Sequence, residues 1–158
     1  MTLEEARDVL AALEREGVES VIIGSMAMAA QGLPRATHDL DLFVSPRAEN
    51  IEALKRALRA FFDDPTVEQI DAAEMAGPYP AVEYTPPHGQ YSLDLLTRLG
   101  EAFSWEDIAA ESEELRLGDL VVRVATPRLL YRMKHDTVRP QDRLDADRIR
   151  EAFGLEFR

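Results

Sequence analysis

The sequence predicts an α/β (α+β) protein, and three observations lead to that class. Apolar residues recur at helical spacing near both ends of the chain, within residues 3–16 and 126–153. Between these stretches lie short apolar segments of the length and alternation that strands show. Glycine, proline and serine residues separate the segments at turns, as at Gly24 and Ser25. Helices and strands are therefore expected to alternate along the chain.

Capping residues predict where the helices of the N-terminal half begin and end. Thr2, with Glu5 three residues later, forms a capping-box pattern before the first helix. Gly32 is the expected end of the second helix, and Ser45 is the expected cap of a third that has Pro46 in its first turn. The predicted elements are a helix over residues 3–16, a strand over 19–23, a helix over 25–31, a strand over 39–44 and a helix from 46 to 62.

The C-terminal half predicts several short strands followed by two helices. Ser104 and Thr126 are the expected caps of two helices, and Gly154 is the expected end of the last one. The predicted elements are a strand over 66–70, an irregular stretch over 71–80, strands over 81–85 and 90–97 joined by a turn, a helix over 104–112, a strand over 120–124 and helices over 126–138 and 142–153.

Composition predicts one soluble globular domain. Hydrophobic residues make up 46% of the 158 residues and charged residues 30%, which is typical of a folded protein rather than a disordered one. No apolar run approaches the roughly 20 residues that span a bilayer, and the N-terminus is acidic, so we expect a cytoplasmic protein without a membrane segment. The absence of cysteine excludes disulfides and thiolate zinc sites. We expect a single domain over residues 1–158, with a core over 19–125 and C-terminal helices over 126–153.

Charge is distributed unevenly along the chain. The net charge of −12 argues against non-specific DNA binding, which depends on lysine and arginine neutralising phosphates. Residues 116–150 nevertheless contain nine basic and five acidic residues, a local charge of +4. These arginines either form a basic face beside a site or pair with acids on solvated helix faces.

Two aspartates in the second predicted strand are the strongest chemical signal. Side chains alternate along a strand, so Asp39 and Asp41 point to the same face, with backbones roughly 6.5 to 7 Å apart. The spacing alone is unspecific, because Asp145 and Asp147 repeat it. The flanking apolar residues and the preceding Gly-Ser turn make the first pair informative.

A third aspartate, Asp94, lies in another predicted strand. If that strand is a neighbour of the first, about 4.8 Å away, its carboxylate meets those of Asp39 and Asp41 on one face of the sheet. Three such anions repel one another unless a cation compensates them. Carboxylate oxygens are the ligands that Mg²⁺ prefers, together with the phosphates of a substrate.

These motifs together resemble the nucleotidyltransferase superfamily that includes DNA polymerase beta. The shared pattern is a strand, a Gly-Ser turn, a short helix, Asp-x-Asp in the next strand and a later single aspartate. Gly24 to Ala27, Gly32, Arg35, Thr37 and the Asp39-Leu40-Asp41 motif, with Lys134 and the later segment 139–145, resemble the AbiEii-type branch, which includes toxins of toxin-antitoxin pairs. The sequence departs from that branch at Gln141, where a lysine is frequent.

The resemblance implies a nucleotidyltransferase fold, with a mixed β-sheet flanked by helices and a helical C-terminal end. It implies that Asp39 and Asp41 bind two Mg²⁺ ions, with Mn²⁺ as an alternative, and that Asp94 binds the catalytic ion and assists deprotonation of the acceptor hydroxyl. The nucleoside triphosphate (NTP) would be bound by a set of residues around the same loop and the C-terminal helices: Gly24, Ser25, Arg35, Thr37, Lys134 and Asp142.

The residues themselves leave several of these roles open. Arg35 either clamps a phosphate or pairs with an acid. Lys134 either meets the triphosphate or extends its ammonium to solvent at the edge of the core. Asp142 and Asp145 lie three apart on one helix face and brace Lys134, Arg139 or the nucleotide, although Asp142 is equally well placed as a helix cap.

The resemblance favours an Mg²⁺-dependent enzyme that moves a nucleoside monophosphate (NMP) from an NTP to a hydroxyl group of tRNA or of a protein, with a cognate antitoxin as a partner if the chain is a toxin. Two alternatives remain open at this point. One is a nucleotidyltransferase for a cationic small molecule, as among antibiotic-modifying relatives. The other is a non-catalytic module of the same fold that binds nucleotide or a partner.

Overall fold

The structure is a computed structural model that describes residues 1–78, 80–87 and 89–156. The predicted turn over 86–89 includes His88, which lies outside the described residues, and so does Tyr79 in the stretch predicted as irregular. Within the described ranges, no helix is both long enough and apolar enough to cross a membrane.

Helices and strands alternate along the chain, as predicted. The first half contains α1 (Leu3–Arg15), β1 (Ser20–Ile23), α2 (Gly24–Ala30), β2 (Asp39–Val44), α3 (Ala48–Phe62), a 3₁₀ turn (Pro65–Gln69) and α4 (Ala72–Met75). The second half contains β3 (Ala81–Tyr84), β4 (Ser92–Leu96), α5 (Trp105–Ala110), β5 (Ser112–Leu117), β6 (Leu120–Ala125), α6 (Pro127–Lys134) and α7 (Pro140–Phe153).

The strands form one mixed sheet in the order β3-β4-β2-β1-β6-β5. Strand β2 pairs in parallel with β4 and antiparallel with β1, while β1 pairs in parallel with β6. The two outer strands, β3 and β5, are each antiparallel to their neighbours. The predicted mixed sheet flanked by helices, with two helices at the C-terminal end, is therefore confirmed.

The register of the central strands brings distant polar residues together. Asp41 is directly opposite Asp94 across the parallel β2·β4 pair, and Asp39 is opposite Ser92. Glu83 on β3 is in turn opposite Asp94. Residues directly opposite each other point to the same face, so these acidic side chains share one face of the sheet.

Leucines that alternate with the aspartates point to the other face and hold the two strands in this register. Leu40, Leu42, Leu93 and Leu95 are all fully buried in the core. A shift of one residue would bury the carboxylates and expose the leucines, so the apolar face specifies the pairing.

The structure corrects several predictions of local structure. Residues 66–70 form no strand: Pro65 starts a 3₁₀ turn whose cap is Asp64, with its carboxylate accepting the Thr66 N–H at 2.9 Å. Ser45 does not cap α3, which begins at Ala48. The Ser45 hydroxyl is buried and has no hydrogen-bond partner in the described part of the chain.

Three further differences concern the boundaries of elements. The stretch predicted as irregular contains the short helix α4, which is capped by Asp71. Strand β5 was not predicted, because its sequence, SEELRL, is largely polar and forms an edge strand. Helix α6 ends at Lys134 rather than at 138, and α7 begins at Pro140 rather than at Asp142.

We predict that Leu42→Ala destabilises the fold strongly, because it leaves a cavity between β2 and the helices under the sheet. The expected loss is about 2 to 5 kcal/mol of unfolding free energy. The measurement is urea unfolding followed by circular dichroism.

The matched control is Leu144→Ala on α7, where the side chain is 60% exposed. Its unfolding free energy should stay within about 0.5 kcal/mol of wild type. Equal losses in the two variants would contradict the assignment of the core.

Candidate functional site

The candidate site is a cleft between the sheet and the C-terminal helices. Its volume is about 500 Å³. On the sheet side it is lined by Gly24, Asp41, Glu83 and Asp94, with apolar side chains of β3 and β4 around them. On the helix side it is lined by residues of α6, the following loop and α7: Leu130, Met133, Lys134, Thr137, Val138, Arg139 and Asp142.

The carboxyl groups of Asp41 and Asp94 contact each other at the base of the cleft. Burial, the negative charge of Asp94, a hydrogen bond between the two side chains and the charge of Asp39 together raise the pKa of Asp41 to about 7, although the positive charge of Lys134 acts to lower it. Asp41 therefore holds a proton, next to the carboxyl of Asp94, up to near neutral pH. A pair that holds a proton in this way is also suited to a cation in the proton's place.

Gly24 fits against this pair because it has no side chain. Its φ of +66° lies in the left-handed region, which glycine adopts without strain. A Cβ atom at this position would collide with the carboxylate of Asp41. The backbone of the β1–α2 junction can therefore approach Asp41 closely, and the next residue, Ser25, is buried at the start of α2.

Asp39 lies on the same strand face, but its carboxylate is engaged by a neighbour. Ser92 on β4 donates its hydroxyl to Asp39 Oδ1 at 2.9 Å. Thr37 holds the start of β2 through its hydroxyl, which accepts the Asp39 N–H and donates to the Asp39 carbonyl, both at 3.2 Å. Thr37 thus orders the backbone that leads into the aspartate pair.

The donor set fits a divalent cation in part. Asp41 and Asp94 offer adjacent hard oxygen ligands, and the backbone of Gly24 lies close to the carboxylate of Asp41. Among the described residues, no three histidine or acidic side chains are already arranged to hold a metal ion. The backbone places all three aspartates on one face, where Asp39 Oδ1 is hydrogen-bonded to Ser92.

Lys134 lies across the cleft from the aspartates, and its side chain is only 9% exposed. Its ammonium donates to Asp142 Oδ1 at 3.1 Å and to Asp145 Oδ2 at 3.0 Å. The alternative that this lysine extends to bulk solvent is wrong. Asp142 also accepts the Thr137 hydroxyl at 2.9 Å and does not cap α7, whose first flanking residue is Arg139.

Asp145 is fully buried, and it contacts Lys134, which is one of the partners proposed for it from the sequence. Besides Lys134, it accepts the Arg35 Nε–H at 3.2 Å and the Gln141 amide at 3.0 Å. Burial alone would raise the pKa of Asp145, but hydrogen bonds from Lys134 and Gln141 and the charges of Lys134 and Arg35 hold the pKa below its ordinary value. The acid-pairing alternative for Arg35 is therefore the one that the structure shows.

Of two exposed residues that line the cleft, Glu83 has no role in the sequence prediction and Arg139 appears there only as a possible partner of Asp142 or Asp145. Glu83 lies beside Asp94 and is exposed, while Arg139 is exposed at the helix side of the opening. The burial of Asp145 is not evident from its own side chain, but Ala146 and Ile149 are buried on the same helix. Nothing in the sequence distinguishes Glu83, because its role depends on the pairing of β3 with β4.

Comparison with solved structures places this fold among nucleotidyltransferases. A proposed nucleotidyltransferase from Thermotoga maritima aligns with 97% of this chain and 89% of its own, with a TM-score of 0.56 and 16% identity. The structure of ANT(2'')-Ia in complex with adenylyl-2''-tobramycin aligns with 96% of this chain and 89% of its own, with a TM-score of 0.58 and 15% identity. At these identities the similarity shows the fold alone.

Sequence comparison gives the family. No curated protein matches the chain. The profile of the family described as "Nucleotidyl transferase of unknown function (DUF2204)" matches residues 2–154, which include every site residue described above. The chain therefore belongs to this nucleotidyl transferase family.

Proposed function

We propose that the chain transfers an NMP group from an NTP to a hydroxyl acceptor on Mg²⁺ held by Asp39, Asp41 and Asp94. The observation that carries this proposal is the register of β2 and β4, which sets Asp41 against Asp94 beside Gly24. A structural role is a poor explanation for two carboxyls in contact, because their repulsion destabilises the fold unless a proton or a cation lies between them.

The reaction class follows from the ligands. Mg²⁺ held by Asp39, Asp41 and Asp94 would neutralise phosphate oxygens and would favour in-line displacement at the α-phosphorus. A bond forms between the acceptor oxygen and the α-phosphorus while the bond to the β-phosphate oxygen breaks, and pyrophosphate leaves. Asp94 takes the proton of the acceptor hydroxyl on a carboxylate oxygen.

The remaining proposed residues would hold the nucleotide. Gly24 and Ser25 offer backbone and hydroxyl donors at the β1–α2 junction, and Thr37 orders the start of β2. Lys134 would meet the triphosphate from across the cleft, with Asp142 as its partner. Arg35 would support the site through its ion pair with Asp145. Because its side chain is partly exposed, it could instead bind a phosphate of the nucleotide.

A nucleic-acid acceptor is supported by the basic surface beside the cleft. Arg139 is exposed at the opening, while Arg143 and Arg148 donate to the backbone carbonyls of Thr137 and Pro34. These carbonyls do not neutralise the arginines, so their charge is available to phosphates. We therefore favour tRNA over a protein side chain as the acceptor, in the cytoplasm where NTPs are made, and a toxin role if an antitoxin gene lies alongside.

A small-molecule acceptor is the second candidate, and one observation favours it. Glu83 extends the carboxylate row past Asp94 toward the sheet edge, where it would attract a cationic acceptor. The structural neighbour ANT(2'')-Ia is bound to an adenylylated aminoglycoside, which is a cationic molecule of this kind. Incubation of the protein with labelled NTPs and either total RNA or an aminoglycoside panel separates the two candidates.

We predict that Asp41→Asn and Asp94→Asn each lower nucleotide transfer at least about 100-fold, because each removes a charge that the transition state needs. The measurement is transfer of label from α-³²P NTPs to total RNA in the presence of Mg²⁺. Asp119→Asn, in an exposed turn, is the control and should transfer like wild type. Transfer that persists in Asp41→Asn would contradict the proposal, and tight NTP binding without any transfer would support a non-catalytic module.

We also predict a pH-dependent stability that depends on Asp41. Because the pKa of Asp41 is raised to about 7 in the folded state from its ordinary 3.8, the folded state binds more protons between these values. The contribution of this group therefore makes the protein less stable as pH rises from about 4 to about 7, and Asp41→Asn abolishes that contribution. In EDTA, we expect Asp41→Asn to melt higher than wild type at pH 8, by at least about 2 to 4 °C, with a smaller difference at pH 5.

Addition of Mg²⁺ at pH 8 gives the second arm of this experiment. The ion should raise the melting temperature of wild type but not that of Asp41→Asn, because only the wild-type pair binds it in place of the proton. An equal response of the two proteins to Mg²⁺ would show that the ion binds elsewhere.

A further inference from the structure

We infer that Asp145 is a positioning residue that holds the ammonium of Lys134 in the cleft, facing the Asp41 and Asp94 pair. This inference rests on the proposed function, because it assigns Lys134 to the phosphates of the NTP. Asp145 itself is fully buried and does not line the cleft, so it acts through its contact with the lysine.

The first support is the number of segments that converge on this one carboxylate. Its Oδ2 atom accepts from Lys134 on α6 and from Arg35 in the loop before β2, and its Oδ1 atom accepts from Gln141 one turn earlier on α7. A buried carboxylate needs partners of this kind, because an unpaired charge in the interior is costly. The position of α6 relative to β2 is thereby fixed at a charged contact.

The second support is the geometry of Lys134. An ammonium has three N–H donors. Two of them are directed to Asp142 and Asp145, which are both on α7 and three residues apart. In the described part of the chain only these two carboxylates accept from Lys134, so its third donor is available to a ligand in the cleft that it lines with Asp41. Two anchors leave the flexible lysine side chain with one orientation, which lowers the entropic cost of ordering it when a phosphate binds.

Charge balance shows why two anchors do not cancel the role of Lys134. The buried cluster contains two carboxylates, Asp142 and Asp145, and two cations, Lys134 and Arg35, so it is neutral as a group. Arg35 supplies the charge that Asp145 needs in addition to Lys134. The ammonium is therefore held in place by its two carboxylate partners, while the cluster adds no net negative charge beside an incoming triphosphate.

A double-mutant cycle on ATP binding tests this inference without requiring turnover. The variants are Asp145→Asn, Lys134→Ala and the double variant, and the probe is ATP with Mg²⁺, titrated by calorimetry with melting temperatures measured in parallel. We expect Asp145→Asn to weaken ATP binding about 10-fold, and to weaken it by less than about 2-fold when Lys134 is already alanine. A merely structural role for Asp145 would lower the melting temperature but would weaken ATP binding by the same factor in both backgrounds.

Two further variants complete the experiment: one is a control, and the other replaces Asp145→Asn if that variant does not fold. Asp147→Asn on the same helix breaks an exposed ion pair with Arg150 and should leave ATP affinity unchanged. Gln141→Leu removes one donor from Asp145 at an exposed position, so it tests the inference even if Asp145→Asn does not fold. We expect it to weaken ATP binding about 2 to 3-fold in wild type and not at all in the Lys134→Ala background.

The outcomes separate this inference from the proposed function. If Asp145→Asn folds and binds ATP as tightly as wild type, the positioning role is overturned, even if wild type transfers nucleotide. The role is likewise overturned if the variant that folds, Asp145→Asn or Gln141→Leu, weakens ATP binding equally in the wild-type and Lys134→Ala backgrounds. If instead the substitutions at positions 145 and 134 show coupled effects on ATP binding while wild type transfers no label to any acceptor tested, that result would support the positioning role and contradict the proposed transferase reaction. Absence of ATP binding to wild type would overturn both.

Discussion

The contact between the carboxyl groups of Asp41 and Asp94 is the constraint on which the site depends. Two acidic side chains directly opposite each other on neighbouring strands repel once both are ionised, and burial makes that repulsion stronger. The sheet nevertheless keeps them together, because the leucines on its other face fix the register of β2 and β4. The energy of the apolar core is thus what holds an unfavourable charge arrangement in place at the cleft.

A second charged arrangement on the opposite wall of the cleft has the reverse character. Around Asp145, buried carboxylates and cations are matched, and each has a hydrogen-bonding partner. The helix wall is therefore electrostatically satisfied in the absence of ligand, whereas the sheet wall is not. Such an asymmetry is suited to a substrate that brings its own cation to one wall and its phosphates to the other.

Much of this architecture could be predicted from the sequence, because the patterns that indicate it lie within short stretches of the chain. The strand with Asp39 and Asp41, the glycine before Ser25 and the proline-initiated helices all follow from alternation, turn chemistry and capping. The parts that failed depend on tertiary pairing. Strand β5 is polar because it is an edge, and Glu83 enters the site only because β3 pairs with β4.

The parallel pairing of β2 with β4 has a consequence for how this chain can vary in length. A single residue added within β4 before Asp94 would turn that side chain toward the leucine layer, since facing direction alternates along a strand. Loops such as the one between α6 and α7 have no such alternation, so an added residue there does not reverse the direction of a site residue. Among proteins built on this sheet, gaps in alignment should therefore be excluded from the short central strands and should collect in the connections around them.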